Sequence, residues 1–318
     1  MRIAVVGAGG VGGYYGALLH RGGHDVTFLA RGRHLEAMQT AGLRIESTLG
    51  APLVLPVRAC RAPADTGPVD LVLFTVKSYD SAEAAASLDP LLAPGTAVLT
   101  LQNGVENVEV LAAAVGRRRV LGGLCQIFCH IAAPGVIRHT GGPRRVVLGE
   151  LDGGVTARAE AVHAAFAATG VPVEVSRQIL VDMWEKYLFI SAQGGMTALT
   201  RMPVGVLRSI PATFEMYLQV AGEVAAVGRA HGVPIPPGER ERVQAFAEAL
   251  QADAYSSLYH DLMAGRRMEL DALSGAIIRL GERYGVATPN ARAIYAALLP
   301  HAVAARRNTA AAATPPGP

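Results

Sequence analysis

Of the 29 basic residues in this 318-residue chain only two are lysine, Lys77 and Lys186; every other one is arginine. Arginine stays protonated at any relevant pH, whereas lysine can release a proton and can have its pKa lowered by burial or a neighbouring charge. A chain that writes arginine almost everywhere is expected to keep an amine where a compact, titratable donor is needed. Lys186 stands in VDMWEKYLFIS beside the only tryptophan, Trp184. Apolar and small residues surround it, so a helix here would be largely buried, and a buried lysine is unusual without a task or a partner. Glu185 is adjacent, but successive residues on a helix do not face each other. An ammonium held in such a place can stabilise developing negative charge and supply a proton, general-acid chemistry worth about 100-fold to 10,000-fold in rate.

A second constellation lies at the N-terminus. Gly7, Gly9 and Gly12 fit GxGxxG directly after the apolar run RIAVV, in a turn made of Gly7, Ala8, Gly9, Gly10, Val11 and Gly12. The first glycine permits the tight turn, the second lets the backbone approach a pyrophosphate, and the third lets helix and strand pack closely. In a chain with 36 glycines the motif alone is weak, and its place between a strand and a helix is what argues for dinucleotide binding. The second strand-like run, DVTFLA, ends in Arg31 and not in the Asp or Glu that would accept from a ribose 2′-hydroxyl. An arginine there suits a 2′-phosphate, so NADP(H) is expected over NAD(H). Lys77 follows the run VDLVLFTV and Asn103 follows TAVLTL, at the carboxyl ends of strands, where ligands bind in parallel sheets.

These residues need a scaffold to place them. Residues 2–6, 25–30, 69–76, 96–101 and 119–124 are short apolar runs bounded by Gly, Pro or charge, the mark of parallel strands buried on both faces. Helical stretches at 11–21 and 81–92 alternate with them, which predicts an α/β Rossmann-type, doubly wound parallel sheet over residues 1–174. From 175 to 305 the strand signals stop and Ala-, Leu- and Glu-rich helical stretches follow, broken at 202–203, 233–238 and 284–289, so an all-α domain is expected. Residues 306–318, rich in alanine and ending in TPPGP, read as a flexible tail.

Composition excludes several classes. A net charge of +3 with scattered arginines gives no nucleic-acid footprint, and the five-residue apolar start is too short for a secretory signal or a membrane span. A cytoplasmic protein without membrane or nucleic-acid partners is expected. Cys60, Cys125 and Cys129 are odd in number and lack metal-binding spacing, so reduced thiols and no metal site are expected. Alanine-rich helix faces suit packing within the chain or on a second copy, leaving both monomer and homodimer open.

Taken in order, the glycine motif, TVKSYD with Lys77, LQNGVEN with Asn103, WEKYLFISAQGGMTALT with Lys186, and SSLYHDLMAGRRMELDALSGAIIRLGERYGVATPN with Ser257 and Glu269 resemble the ketopantoate reductases, also called 2-dehydropantoate 2-reductases. The resemblance implies NADPH-dependent reduction of a 2-oxo acid to its 2-hydroxy acid, with pantoate as product on the route to coenzyme A. It implies that Lys186 is the general acid, that Glu269 holds the substrate or the cofactor ribose, and that Asn103 lies between nicotinamide and substrate. Lys77 would line the cofactor pocket, Ser257 would contact the substrate carboxylate, and Ile127, expected in the loop after the fifth strand, would match a backbone cofactor contact. Many members place asparagines four and eight residues after the catalytic lysine, where this chain has Ile190 and Gly194, with Ser191 and Gln193 the nearby polar residues. The alternative substrate is therefore a larger or more apolar 2-oxo acid. A non-catalytic NADP-sensing protein would need only the first domain, and the presence of Lys186 and Glu269 in the helical half argues against it.

Overall fold

The computed structural model describes residues 1–313, which fall into two compact units: residues 1–102 with 106–182, and residues 103–105 with the chain from Met183 onward. In the first unit, β1 (Arg2–Val6), β2 (Asp25–Leu29), β3 (Leu43–Ser47), β4 (Gly50–Leu55), β5 (Arg58–Cys60), β6 (Val69–Phe74), β7 (Leu92–Thr100), β8 (Val120–Ala133), β9 (Val136–Glu150) and β10 (Val173–Val175) form one sheet. Strands β5, β2, β1, β6, β7 and β8 lie side by side and run parallel. Setting aside the β3–β4 hairpin, this is the strand order of a dinucleotide fold, and it reverses direction between β1 and β6, where such sheets bind ligands. Ile3 to Val6 and Leu71 to Phe74 are all buried, which is why these strands read as unbroken apolar runs. Helices α1 (Gly10–Arg21), α2 (Gly32–Ala41), α3 (Ser81–Ala86), α4 (Asn107–Val115) and α5 (Ala157–Ala167) complete the unit. A Cβ at Gly16 of α1 would lie 2.5 Å from the Phe28 ring, so only glycine lets this helix sit so close to β2.

Three features differ from the sequence expectation. The fifth expected strand does not stop at 124: β8 runs to Ala133 and pairs antiparallel with β9 as a long arm. Bulges near Gln126, Phe128 and Ile131 and the glycines at 141 and 142 break the alternation that would have revealed it. The boundary falls after Asp182 rather than at 174, because β10 pairs with β9 and Ile179 packs 3.0 Å from where a Cβ on Gly149 would be. The expected tail from 306 is helical as far as Ala313, since its alanines are strong helix formers; residues 314–318 lie outside the described residues.

In the second unit the described residues are helical, without a strand. The helices are α6 (Ile179–Thr200), which starts in the first unit, α7 (Val204–Ser209), α8 (Pro211–Ala230), α9 (Glu239–Ala249), α10 (Ser257–Met263), α11 (Ala276–Tyr284) and α12 (Pro289–Ala313). The three expected breaks fall between α6 and α7, α8 and α9, and α11 and α12. Arg201 ends α6 by adopting φ 58, and Pro203 cannot continue it. No helix of the described residues is long and apolar enough to cross a membrane, and no group of three or more His, Cys, Asp or Glu among them could hold a metal ion. None of the three cysteines is in a disulfide.

Candidate active site

At the reversal of strand order, Gly7 leaves β1 with φ 98, and a Cβ there would lie 2.6 Å from the Val76 nitrogen beyond β6. Gly12 is as tightly enclosed, with Thr75 Oγ1 at 2.2 Å and the Gly7 carbonyl at 2.3 Å from a would-be Cβ, and Gly10 would meet the Cys129 carbonyl at 2.5 Å. Gly9 is the opposite case: a Cβ on it would meet no atom within 4 Å, so there is open space on that side of the residue at the start of α1. The first amides of a helix have no intrahelical acceptor, and α1 has no acidic residue in its first turn, so this end suits an anionic pyrophosphate. Ala8 N–H donates to the Leu29 carbonyl at 3.2 Å and the Thr75 hydroxyl to the Gly7 carbonyl at 2.8 Å, fixing the turn from β2 and from the end of β6. Val11 is partly buried against the core.

Arg31 is the N-cap of α2, just beyond β2. Its side chain is 60% exposed and reaches the Asp80 carboxylate only at 4.0 Å. An exposed pair of this kind is worth less than about 1 kcal/mol, so it does not compete with a phosphate dianion. Lys77 is exposed at the head of the short turn 78–80 that ends in Asp80. That segment is held by Gln102, whose amide donates to the Val76 carbonyl at 2.8 Å and to Ser81 Oγ at 2.7 Å. Burial pushes the Cys129 thiol up, against the opposing charge of Lys77, the direction that keeps it protonated. Ile127 is not in a loop: it is half-buried within β8, at the bulge between Gln126 and Phe128.

In the second unit Lys186 is half-buried on α6, and its Nζ donates to Asn103 Oδ1 at 2.7 Å. Residues 83 apart in sequence are thus in direct contact, and the amide oxygen fixes the direction of the ammonium. Glu269 is buried and lies two residues before a π-helical turn, Asp271–Gly275, with its carbonyl accepting from Leu273 N–H at 3.0 Å. Tyr187, the neighbour of Lys186, donates its hydroxyl to the carbonyls of Ala272, at 3.0 Å, and Leu273, so α6 is tied to the segment that carries Glu269. Trp184 is buried, meets Tyr187 edge-on with ring centroids 5.7 Å apart, and fills the space beside Gly228. Glu185 turns to Arg242, which grips its carboxylate with two bonds of 2.7 and 3.0 Å. Ser257 is exposed as the first residue of α10, while Ser256 makes the helix cap by accepting from Tyr259 N–H at 3.0 Å.

Two family models cover most of the chain: Ketopantoate reductase PanE/ApbA matches residues 3–153, and Ketopantoate reductase PanE/ApbA C terminal matches residues 178–302. The chain belongs to the ketopantoate reductase PanE/ApbA family. It is 35% identical over 298 residues to "Uncharacterized oxidoreductase YkpB" of Bacillus subtilis, covering 94% of this chain and 98% of that one. It is 34% identical over 299 residues to a 2-dehydropantoate 2-reductase of Caulobacter vibrioides, with coverages of 93% and 97%. Among solved structures, a PanE/ApbA family ketopantoate reductase from Ralstonia eutropha JMP134 superposes with a TM-score of 0.88 at 34% identity, over 96% of this chain and 100% of that one. As a member of this family the protein is an oxidoreductase with a Rossmann-type sheet followed by a helical domain.

Within this ketopantoate reductase fold the face of α6 beyond Lys186 is apolar. Ile190 is half-buried, and a Cβ on Gly194 would lie 3.3 Å from Leu273 Cδ1 and 3.8 Å from Leu258 Cδ2. Gln193 is buried and engaged by the Tyr217 hydroxyl at 3.2 Å, and Ser191 Oγ is buried without a hydrogen-bond partner among the described residues. The sequence reading did not single out Tyr187, Thr75 or Gln102. Their signal was slight: one polar side chain each inside or beside an otherwise apolar run. Tyr187→Phe removes a hydroxyl donor from two carbonyls of the π-turn, so it is expected to cost about 1 kcal/mol. Thermal unfolding of the variant should show a lowered Tm, and an unchanged Tm would mean that water replaces the hydroxyl there.

Proposed function

We propose that this protein is a cytoplasmic reductase that uses NADPH to convert a 2-oxo acid to the 2-hydroxy acid, with 2-dehydropantoate the favoured substrate and pantoate the product. The observation that carries the proposal is the 2.7 Å bond between Lys186 Nζ and Asn103 Oδ1, which aims the only lysine of the helical unit. When bound, the reduced nicotinamide supplies a hydride to the ketone carbon. The Gly7–Gly12 turn and the α1 N-terminus fit a pyrophosphate, because Gly9 leaves open space where any side chain would intrude. Arg31 supplies a guanidinium for the 2′-phosphate, and Lys77 a second cation at the end of β6. As negative charge develops on the ketone oxygen, the Lys186 ammonium stabilises it and gives up a proton to it. Asn103 holds the ammonium's direction, so this alignment need not be made during the reaction. Glu269 is assigned, by resemblance to the family, to the substrate or the cofactor ribose, and Ser257 to the substrate carboxylate.

A second reading concerns only the substrate. Ile190 and the leucines that wall Gly194 offer no amide to a substrate hydroxyl, which favours a 2-oxo acid with a plain branched apolar side chain. Losing one hydroxyl partner shifts discrimination by about 1–3 kcal/mol, or about fivefold to 160-fold in kcat/KM. A steady-state screen with NADPH separates the two. 2-Dehydropantoate is expected to exceed 2-oxoisovalerate, which lacks its hydroxymethyl group, by at least about tenfold. Negligible turnover of 2-dehydropantoate beside strong turnover of the plain acid would transfer the assignment to the second reading.

A further inference from the structure

His34 lies on α2, in the first unit, half-buried between two stretches of backbone. Its Nε2 is 2.8 Å from the carbonyl oxygen of Ala8, in the glycine turn, and its Nδ1 accepts the N–H of Gly135 at 3.0 Å, in the turn that joins β8 to β9. A carbonyl can only accept and an N–H can only donate, so these two partners select the neutral ring with its proton on Nε2. Burial also lowers the pKa of this imidazole, the direction that keeps it neutral. The Gly135 turn is itself fixed: its carbonyl accepts from Arg44 N–H at 2.8 Å, and the glycine has φ 74. His34 therefore braces the glycine turn against a rigid part of the sheet.

The consequence follows from peptide geometry. In a trans peptide the C=O and the following N–H point in opposite directions. Ala8 already spends its own N–H on the Leu29 carbonyl, so pinning its carbonyl on His34 fixes the plane of the Ala8–Gly9 peptide. The N–H of Gly9 must then point away from His34, and a Cβ on Gly9 would meet no atom within 4 Å, so the space beside this peptide is open. We propose that His34 is a positioning residue for dinucleotide binding, which orients the Ala8–Gly9 peptide so that the Gly9 N–H and the first amides of α1 are presented to the cofactor's pyrophosphate. This rests on the cofactor reading given above.

The test is nucleotide-fluorescence titration of the full-length native protein, His34→Leu and His34→Gln with NADPH and with NADH. Leucine fills the space without either bond, whereas the glutamine amide can both accept and donate. His34→Leu is expected to weaken both nucleotides by the same factor of about tenfold, equivalent to about 1.4 kcal/mol, because both carry the pyrophosphate. His34→Gln should recover most of that affinity, and kcat at saturating cofactor should stay within about twofold of native for both variants. Leucine and native affinities within about twofold of each other, or glutamine as weak as leucine, would overturn the role. Should His34→Leu fail to fold, His34→Asn is read in its place; it keeps an acceptor near Gly135 but is too short to reach Ala8, and native affinity in it overturns the proposal. If the native protein binds neither nucleotide, it is the cofactor reading that fails, an outcome distinct from normal binding by the variants.

Discussion

Lys186→Arg is expected to lower kcat for NADPH oxidation by a 2-oxo acid by about 100-fold or more, with a much smaller change in KM. The substitution separates two contributions that a lysine makes together. A guanidinium keeps the positive charge and can donate a hydrogen bond to Asn103 Oδ1, so electrostatic attraction for the ketone oxygen and the local network largely survive. It cannot release a proton at any pH the protein tolerates, so the developing alkoxide loses its acid. Lys186→Met removes charge and proton together and is expected to fall further than arginine. If arginine instead retained most of the native kcat, the lysine would act as a fixed charge alone. Each comparison needs NADPH affinity measured alongside kcat, because a loss of cofactor binding would mimic the chemical defect.

The second large effect is on cofactor choice. Arg31→Asp is expected to shift the ratio of kcat/KM for NADPH over NADH by about 100-fold towards NADH. The native guanidinium can meet a 2′-phosphate in a charge-assisted bidentate contact worth about 1.5–3 kcal/mol. An aspartate in its place repels that phosphate and can accept from a free 2′-hydroxyl, so the two effects act in the same direction. The fold should tolerate the change. Arg31 is the N-cap of α2 and makes no side-chain cap bond, whereas aspartate is among the best residues for that position. Steady-state kinetics with both nucleotides would check it; an unchanged ratio would reduce Arg31 to a solvated surface arginine and leave Arg33 or Lys77 as the phosphate partner.

The parts of the molecule that were legible in the sequence share a physical cause. The inner stretches of β1, β2, β6 and β7, residues 3–6, 26–29, 71–74 and 96–100, are buried, so they read as short runs dominated by apolar residues, and the glycine turn is written in residues that the backbone itself requires, such as Gly7 at φ 98. The lysine at 186 stood out because the chain is otherwise almost without lysine. The β8–β9 arm did not stand out, because its bulges and its glycines destroy the two-residue period; β3 is short, with only Leu43 and Ile45 buried, and β4 is largely exposed. Contacts made by backbone carbonyls leave no mark on composition, which is why His34, Thr75 and Tyr187 went unnoticed while their sequence neighbours did not. The contact between Asn103 and Lys186 joins a strand-end turn to a helix 83 residues away, and no local pattern specifies such a pairing. Ile190 and Gly194 are legible as departures from the family's asparagines, but only the leucines at 258 and 273 explain what replaces the lost polarity.

The most direct measurement is single-turnover NADPH oxidation by 2-dehydropantoate, comparing native protein with Lys186→Arg at saturating nucleotide. The expected result is rapid oxidation by the native protein, with the variant slower by at least about 100-fold while binding NADPH with similar affinity. Native protein that binds NADPH but oxidises it with no 2-oxo acid, or an arginine variant that turns over at the native rate, would contradict Lys186 as the proton donor of a 2-oxo acid reductase.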